Sequence, residues 1–464
     1  MAKKTLLTHN AKVNASLLNY YAPSAVIPPN YGVNLATSYF IIARVNPWED
    51  NDNLPEISQS NIEERLFFKN AIAAKHITTA DISPVAERID WTANTVYAFY
   101  TDTEDMLAKD DNGFLLNKFY VKNRYDQVFK CVWNNNETQS NYEPFLEPGS
   151  FSSDLVFKGS DGYKWKYLYT IDTFSKVKFM DDSWMPVTVD PNLVNPLVSK
   201  AGVGNIDVIN VVEHGYLYDL SNAAIAVRIV GDGTAANGVP GTTAAGYATV
   251  ATNGEITDII MTDVGKDYNW ANVIISSTIG FGAHAIAPVS PIGGHGFDNV
   301  SELGCSHVMY NVEFDGSEGG LIPTDVDYHQ VGIVINPVSR SLSPLPANNT
   351  VYKASTELLI AAGYGTYISG ETVFQGGSIE TATFVATALS HDTASNVLRV
   401  INKTGTYSVN APLYAADSKT TRTLLTVTEP DIVLPSGYLT YIENRSTITR
   451  SADGIEQFKI VIGY

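Results

Sequence analysis

The residues of this chain that could do chemistry are 49 Asp and Glu, eight His and two Cys, spread over 464 positions. Nucleophilic catalysis needs a nucleophile beside a base, and a zinc site needs three or four ligands at short spacing. Neither pattern occurs. His295 stands alone in Gly293-Gly294-His295-Gly296, with no HxH, HExxH or Cys partner, and reads as part of a loop. His307 lies two residues from Cys305 but has no third ligand nearby. Asp50-Asn51-Asp52-Asn53 and Asp102-Thr103-Glu104-Asp105 are the densest sources of oxygen ligands. Neither carries the sixth-position Gly and twelfth-position Glu of an EF-hand loop, so both read as solvated Asx turns. Gly231-Asp232-Gly233 lacks the Lys-Ser/Thr pair of a phosphate cradle and reads as a turn. Carboxylate pairs can cleave glycosidic bonds, but spacing selects no pair among 49 candidates. The expectation is a protein that is not an enzyme and has no cofactor and no metal.

Composition bounds the fold class and the partners. Charged residues make up only 17% of the chain, against a usual share of about 25%. Thr, Ser, Asn, Gly and Tyr fill the difference, which is the composition of turn-rich β-structure. A net charge of -19 and a pI near 4.8 exclude general nucleic-acid binding, because such binding relies on Lys and Arg neutralising phosphates. Cys131 and Cys305 are too few for a disulfide framework and read as buried, reduced thiols, in keeping with assembly in a reducing cytoplasm. Thr5-Leu6-Leu7-Thr8-His9-Asn10 interrupts any signal-peptide core, and no apolar run reaches the ~18 residues of a membrane span.

The elements that would position these residues are mostly strands, giving a mainly β, multi-domain chain with few helices and sandwich- or barrel-like inserts. Residues 1–200 read as a β-rich body. Within it, Ser60-Asn61-Ile62-Glu63 is a capping box that opens a helix, with Ile62, Leu66, Ala73 and Ile77 at helical spacing over about 60–78. A weaker helical pattern covers 10–18, and Asp110-Asp111-Asn112-Gly113 predicts a hairpin turn flanked by strands. Residues 201–297 form a Gly-rich insert with an internal repeat: Ile206-Asp207-Val208-Ile209, Gly215 and Tyr218 recur as Ile256-Thr257-Asp258-Ile259, Gly265 and Tyr268. The body resumes over 298–345. A second insert, 346–435, has short, evenly spaced strands like a small barrel. The final segment, 436–464, ends on the alternating run Glu456 to Tyr464, which reads as a packed strand closing the body.

Six Trp remain, most of them expected in cores. Trp165 sits inside an apolar strand pattern, whereas Trp48 and Trp184 lie beside Pro47 and Pro186 and read as interface anchors.

Three segments together resemble a baseplate wedge protein of contractile-tailed, T-even-like bacteriophages. They are Asn46-Pro47-Trp48-Glu49 after an aromatic strand, Asp161-Gly162-Tyr163-Lys164-Trp165-Lys166-Tyr167, and Glu443-Asn444-Arg445. Ile82-Ser83-Pro84-Val85, Asp90-Trp91-Thr92 and the segment Val128 to Asn135 are similar too. The family often has Asp-Gln-Thr-Glu after the position of Arg450, where this chain has Asp453-Gly454-Ile455-Glu456. The resemblance implies a non-enzymatic virion component of the tail baseplate. It would be a homodimer that holds other wedge proteins and the base of fibres or spikes while the baseplate changes shape on host contact. The interface and structural candidates it implies are Asn46, Pro47, Trp48, Asp161, Gly162, Tyr163, Trp165, Trp184, Glu443, Asn444 and Arg445. The alternative is a tail-fibre or adhesin-type protein that binds host glycans.

Overall fold

The computed structural model describes residues 37–57, 60–111, 113–147, 156–188, 204–219, 225–232 and 244–463. The helical pattern over 10–18, and Asn112 of the expected hairpin, lie outside them. Among the described residues, strands account for 45% and helices for 6%, so the chain is mainly β, as its composition predicts. It divides into two compact units, one built from 1–83 with 308–464 and the other from 84–307.

The first unit is organised by a five-stranded antiparallel sheet, in the order Val351–Lys353, Ala71–Ile77, Ser38–Ala43, Asp327–Ile335 and Tyr438–Thr449. Side chains alternate along a strand, so Ser38–Ala43 sends Phe40 and Ile42 to one face and Tyr39, Ile41 and Ala43 to the other. Both faces are covered. Phe67 and Phe68 of the helix Asn61–Lys69 pack on the Tyr39 face. Phe458, Ile460 and Ile462 of the strand Ile455–Gly463 pack on the Phe40 face, with Tyr310, Val312 and Phe314. Gly332 is required at the Phe67 contact, since a Cβ there would lie 2.6 Å from the ring.

One expected element is corrected. The Ser60 hydroxyl caps the helix by accepting from the Glu63 N–H at 3.2 Å, but the helix ends at Lys69 and Ala73 and Ile77 lie on a strand. Ala71–Ile77 is a central strand with a hydrogen-bonded neighbour on each side, and those two ladders outweigh the helix preference of its alanines. Ile62 and Leu66, expected on the apolar face, are exposed.

The same unit contains a closed six-stranded barrel, in the order Thr356–Ile360, Val397–Gly405, Phe384–Asp392, Thr372–Gln375, Pro412–Ala415 and Thr421–Thr428. Leu358, Val373, Leu398, Val400, Leu413 and Leu424 are part of its buried apolar core. The flanking Val351–Lys353 belongs to the large sheet instead.

In the second unit a four-stranded sheet runs Tyr120–Lys122, Gln127–Trp133, Lys164–Thr170 and Val156–Lys158. The expected turn at Gly113 is present as a single bridge, Lys109 to Leu115, without long flanking strands. The internal repeat folds by exchange. The first strand of each copy pairs with the third of the other, Asn210–Tyr216 with Phe281–Ile286 and Ile256–Asp263 with Ala245–Val250. The middle strands, Ile225–Gly231 and Ala271–Ser277, pair with each other. The repeated tyrosines also cross over: the Tyr218 N–H donates to Gly254 O and the Tyr268 N–H to Gly204 O. Neither copy can form its sheet alone, which is why the repeat comes as a pair.

Candidate functional site

Alternation along Lys164–Thr170 explains the most distinctive motif of the chain. Tyr163, Trp165 and Tyr167 join the apolar core, while Lys164 and Lys166 face the other way and are nevertheless buried. Lys130, the cross-strand partner of Lys166, shares their face and is 1% exposed. Three buried ammonium groups on one face repel unless each is paired.

Each one is. Lys130 Nζ lies 2.9 Å from Glu302 Oε1, Lys166 Nζ 3.2 Å from Asp207 Oδ1, and Lys164 Nζ 2.9 Å from Asp258 Oδ1. Asp207 and Asp258 come from the two copies of the repeat, so the ion pairs bind the insert to the sheet within this unit. His295 completes the seam, with Nδ1 2.8 Å from Glu302 Oε1 and Nε2 3.9 Å from Asp207 Oδ2. The Tyr100 ring lies 3.6 Å beneath Lys130 Nζ, a cation–π contact. Burial, and then the Lys130 charge, push the His295 imidazole below its usual pKa, so it is neutral at neutral pH. Burial alone would raise the Glu302 carboxyl, but Lys130 and His295 hold it down at about 2.

A carboxyl depressed in the folded state contributes stability that is complete above its unfolded pKa of about 4.3 and is lost as pH falls through the folded value. The urea midpoint of the wild type should therefore drop between about pH 4.3 and pH 2. A Lys130→Met/Glu302→Leu variant should show a shallower drop over that window; an identical slope would remove Glu302 from the account.

Above the seam lies a cleft of about 770 Å³, with Lys130 and Glu302 in its floor and Asp102, Glu104 and Asp105 at its rim. As expected, these rim residues form an exposed turn, in which Asp105 Oδ1 accepts from the Leu107 N–H. Asp50 does the same for Asp52 and Asn53. No three His, Cys, Asp or Glu side chains converge on a metal position among the described residues.

Asp161 and Gly162 form the turn that launches the lysine strand. Asp161 Oδ2 accepts from the N–H groups of Asn141 and Tyr142, and its carbonyl accepts from Asn135 Nδ2. Gly162 has φ +85, and a Cβ there would lie 2.5 Å from Asn135 Cγ, so only glycine fits. Tyr163 stacks on Trp165 at 5.6 Å and donates from its hydroxyl to Thr138 O. These residues serve the core. Trp184 is half-buried between Phe114 and His307, with ring centroids at 5.7 and 4.3 Å.

In the first unit the other two motifs meet. Trp48 Nε1 donates to Arg445 O at 3.1 Å and to His329 O at 3.3 Å, while the Arg44 guanidinium stacks 3.8 Å from the indole. Asn444 Oδ1 accepts from Gln330 Nε2, and its Nδ2 donates to Pro55 O. Glu443 Oε2 accepts from Tyr441 and Arg445, and Arg445 also approaches the Phe458 ring. Asn46 and Pro47 are exposed at the start of this loop. The turn after Arg450 is spanned by an ion pair, Arg450 Nε to Glu456 Oε2 at 3.0 Å. Trp48→Phe keeps the ring over Arg44 and deletes the N–H, so it should cost about 1 kcal/mol in urea unfolding and speed nicking of the 46–57 loop. Unchanged unfolding and nicking would mean the two carbonyl contacts hold nothing.

The lysine seam escaped the sequence reading. Its signal was present in Val128-Phe129-Lys130-Cys131-Val132, since a lone charge in an apolar strand marks a buried pair. No protein-family model and no curated protein matches this chain at a significant level.

Proposed function

We propose that this chain is a structural subunit of the baseplate wedge of a contractile phage tail. In this reading it is a homodimeric scaffold in the virion that holds neighbouring wedge proteins and the base of fibres or spikes, during assembly and during host-triggered rearrangement. The observation that carries the proposal is the contact between Trp48 and Arg445, 397 positions apart in the chain. Two of the segments on which the family resemblance rests are thereby parts of one joint, as a shared scaffold requires and as unrelated short matches do not. The buried seam, in which each lysine is paired with a carboxylate, supports the same reading. Buried ion pairs with several hydrogen bonds favour one fixed arrangement over turnover of a ligand, and stiff β-bodies keep their shape while an assembly moves around them. Sedimentation equilibrium tests the dimer: the purified chain should have twice the 50.5 kDa monomer mass at micromolar concentration. A monomer or a trimer would count against the wedge reading, and a trimer would favour the adhesin alternative.

A further inference from the structure

The barrel of the first unit carries a second candidate site, on its outer wall. Along Thr372–Gln375 and Pro412–Ala415, Val373, Leu413 and Ala415 point inward and are buried, so Phe374 and Tyr414 point outward. These two rings are cross-strand partners, with centroids 5.7 Å apart and planes inclined by 32°. Both are half-buried and form the floor of a shallow cleft of about 440 Å³. Ser378, Ile379, Glu380, Lys419 and Thr421 also line it, Thr421 as the cross-strand neighbour of Tyr414.

We propose that this cleft binds a neutral oligosaccharide. Outward aromatic faces are not needed by the barrel, whose buried apolar core is made of other side chains. A pyranose has an apolar C–H face that stacks on such rings and hydroxyls that need both donors and acceptors around them. The rim provides both: Glu380 accepts, Lys419 donates, and Ser378 and Thr421 do either. One carboxylate balances one ammonium, so the cleft has no net charge with which to select an anionic or cationic ligand. The volume falls at the small end of ligand sites, about 300–1,000 Å³, which suits a few sugar units and not a large folded partner. This inference stands apart from the wedge reading, since a structural subunit and an adhesin can each carry such a patch.

Saturation-transfer difference NMR on the full-length protein tests it, with maltotriose, cellotriose, mannotriose and chitotriose as probes. At least one should show transfer to its ring protons, and Tyr414→Ala and Phe374→Ala should each weaken that binding by about tenfold or more. Tyr364→Ala, which removes a fully exposed ring elsewhere in the barrel region, should leave it unchanged. Near-UV circular dichroism of each variant confirms that the barrel remains folded. Silence from all four sugars, or equal transfer in Tyr414→Ala, would overturn the proposal. So would binding of a proline-rich peptide in place of the sugars, because aromatic grooves also accept that class of ligand.

Discussion

Replacing Lys130 with methionine should destabilise the 84–307 unit by about 3–5 kcal/mol, because Glu302 would be left as a buried charge without its main partner. Glu302 is nearly as enclosed as the lysine, with side-chain exposures of 3% and 1%, so water replaces little of the lost interaction. His295 would still face the carboxylate, and burial would still disfavour its charged form, so what it supplies first is the hydrogen bond it already makes. Lys130→Met/Glu302→Leu should recover most of the loss, since exchanging a whole buried pair for apolar groups is often close to neutral. Urea unfolding of the wild type, both single variants and the double variant closes the cycle. A single-variant loss below about 1 kcal/mol would show that the pair behaves like an exposed one.

Ending the chain after Tyr441 should abolish folding of the other unit. The deletion removes Ile442, Phe458, Ile460 and Ile462, all 5% exposed or less, together with the guanidinium of Arg450 and its bonds to Pro323 O and Gly316 O. Burial of four such apolar side chains is worth roughly 6–12 kcal/mol, which matches the entire stability of a typical domain, about 5–15 kcal/mol. The Phe40 face of the five-stranded sheet would lose part of its cover, and the Asp327–Ile335 edge would be partly unpaired. The truncated protein should be found in the insoluble fraction. A soluble product with the circular dichroism of the intact chain would remove that last strand from the core.

What could be read from the residues depended on how local the deciding interaction was. The barrel was legible because its strands alternate inward and outward over short turns, a pattern contained in a few neighbouring residues. The packed last strand was legible for the same reason, since Phe458, Ile460 and Ile462 recur at a spacing of two. Ala71–Ile77 was not, because its alanines favour a helix and only partners far along the chain, Ser38–Ala43 and Val351–Lys353, make it a strand. The repeat was visible as a repeat, but the exchange of strands between its copies was not, since spacing carries no information on pairing. Lys130 and Glu302 lie 172 positions apart and Trp48 and Arg445 lie 397 apart, so neither pairing was visible until the fold joined the partners. His295 shows the same limit: rightly placed in a loop, it was without visible partners in sequence and has several in space.

Labelling of intact particles tests most directly where the protein resides. Gold-conjugated antibody against this chain, applied to phage particles with extended and with contracted tails and viewed by negative-stain electron microscopy, should mark the plate at the distal end of the tail in both states. Label along projecting fibres, or on no tail structure at all, would contradict the wedge assignment.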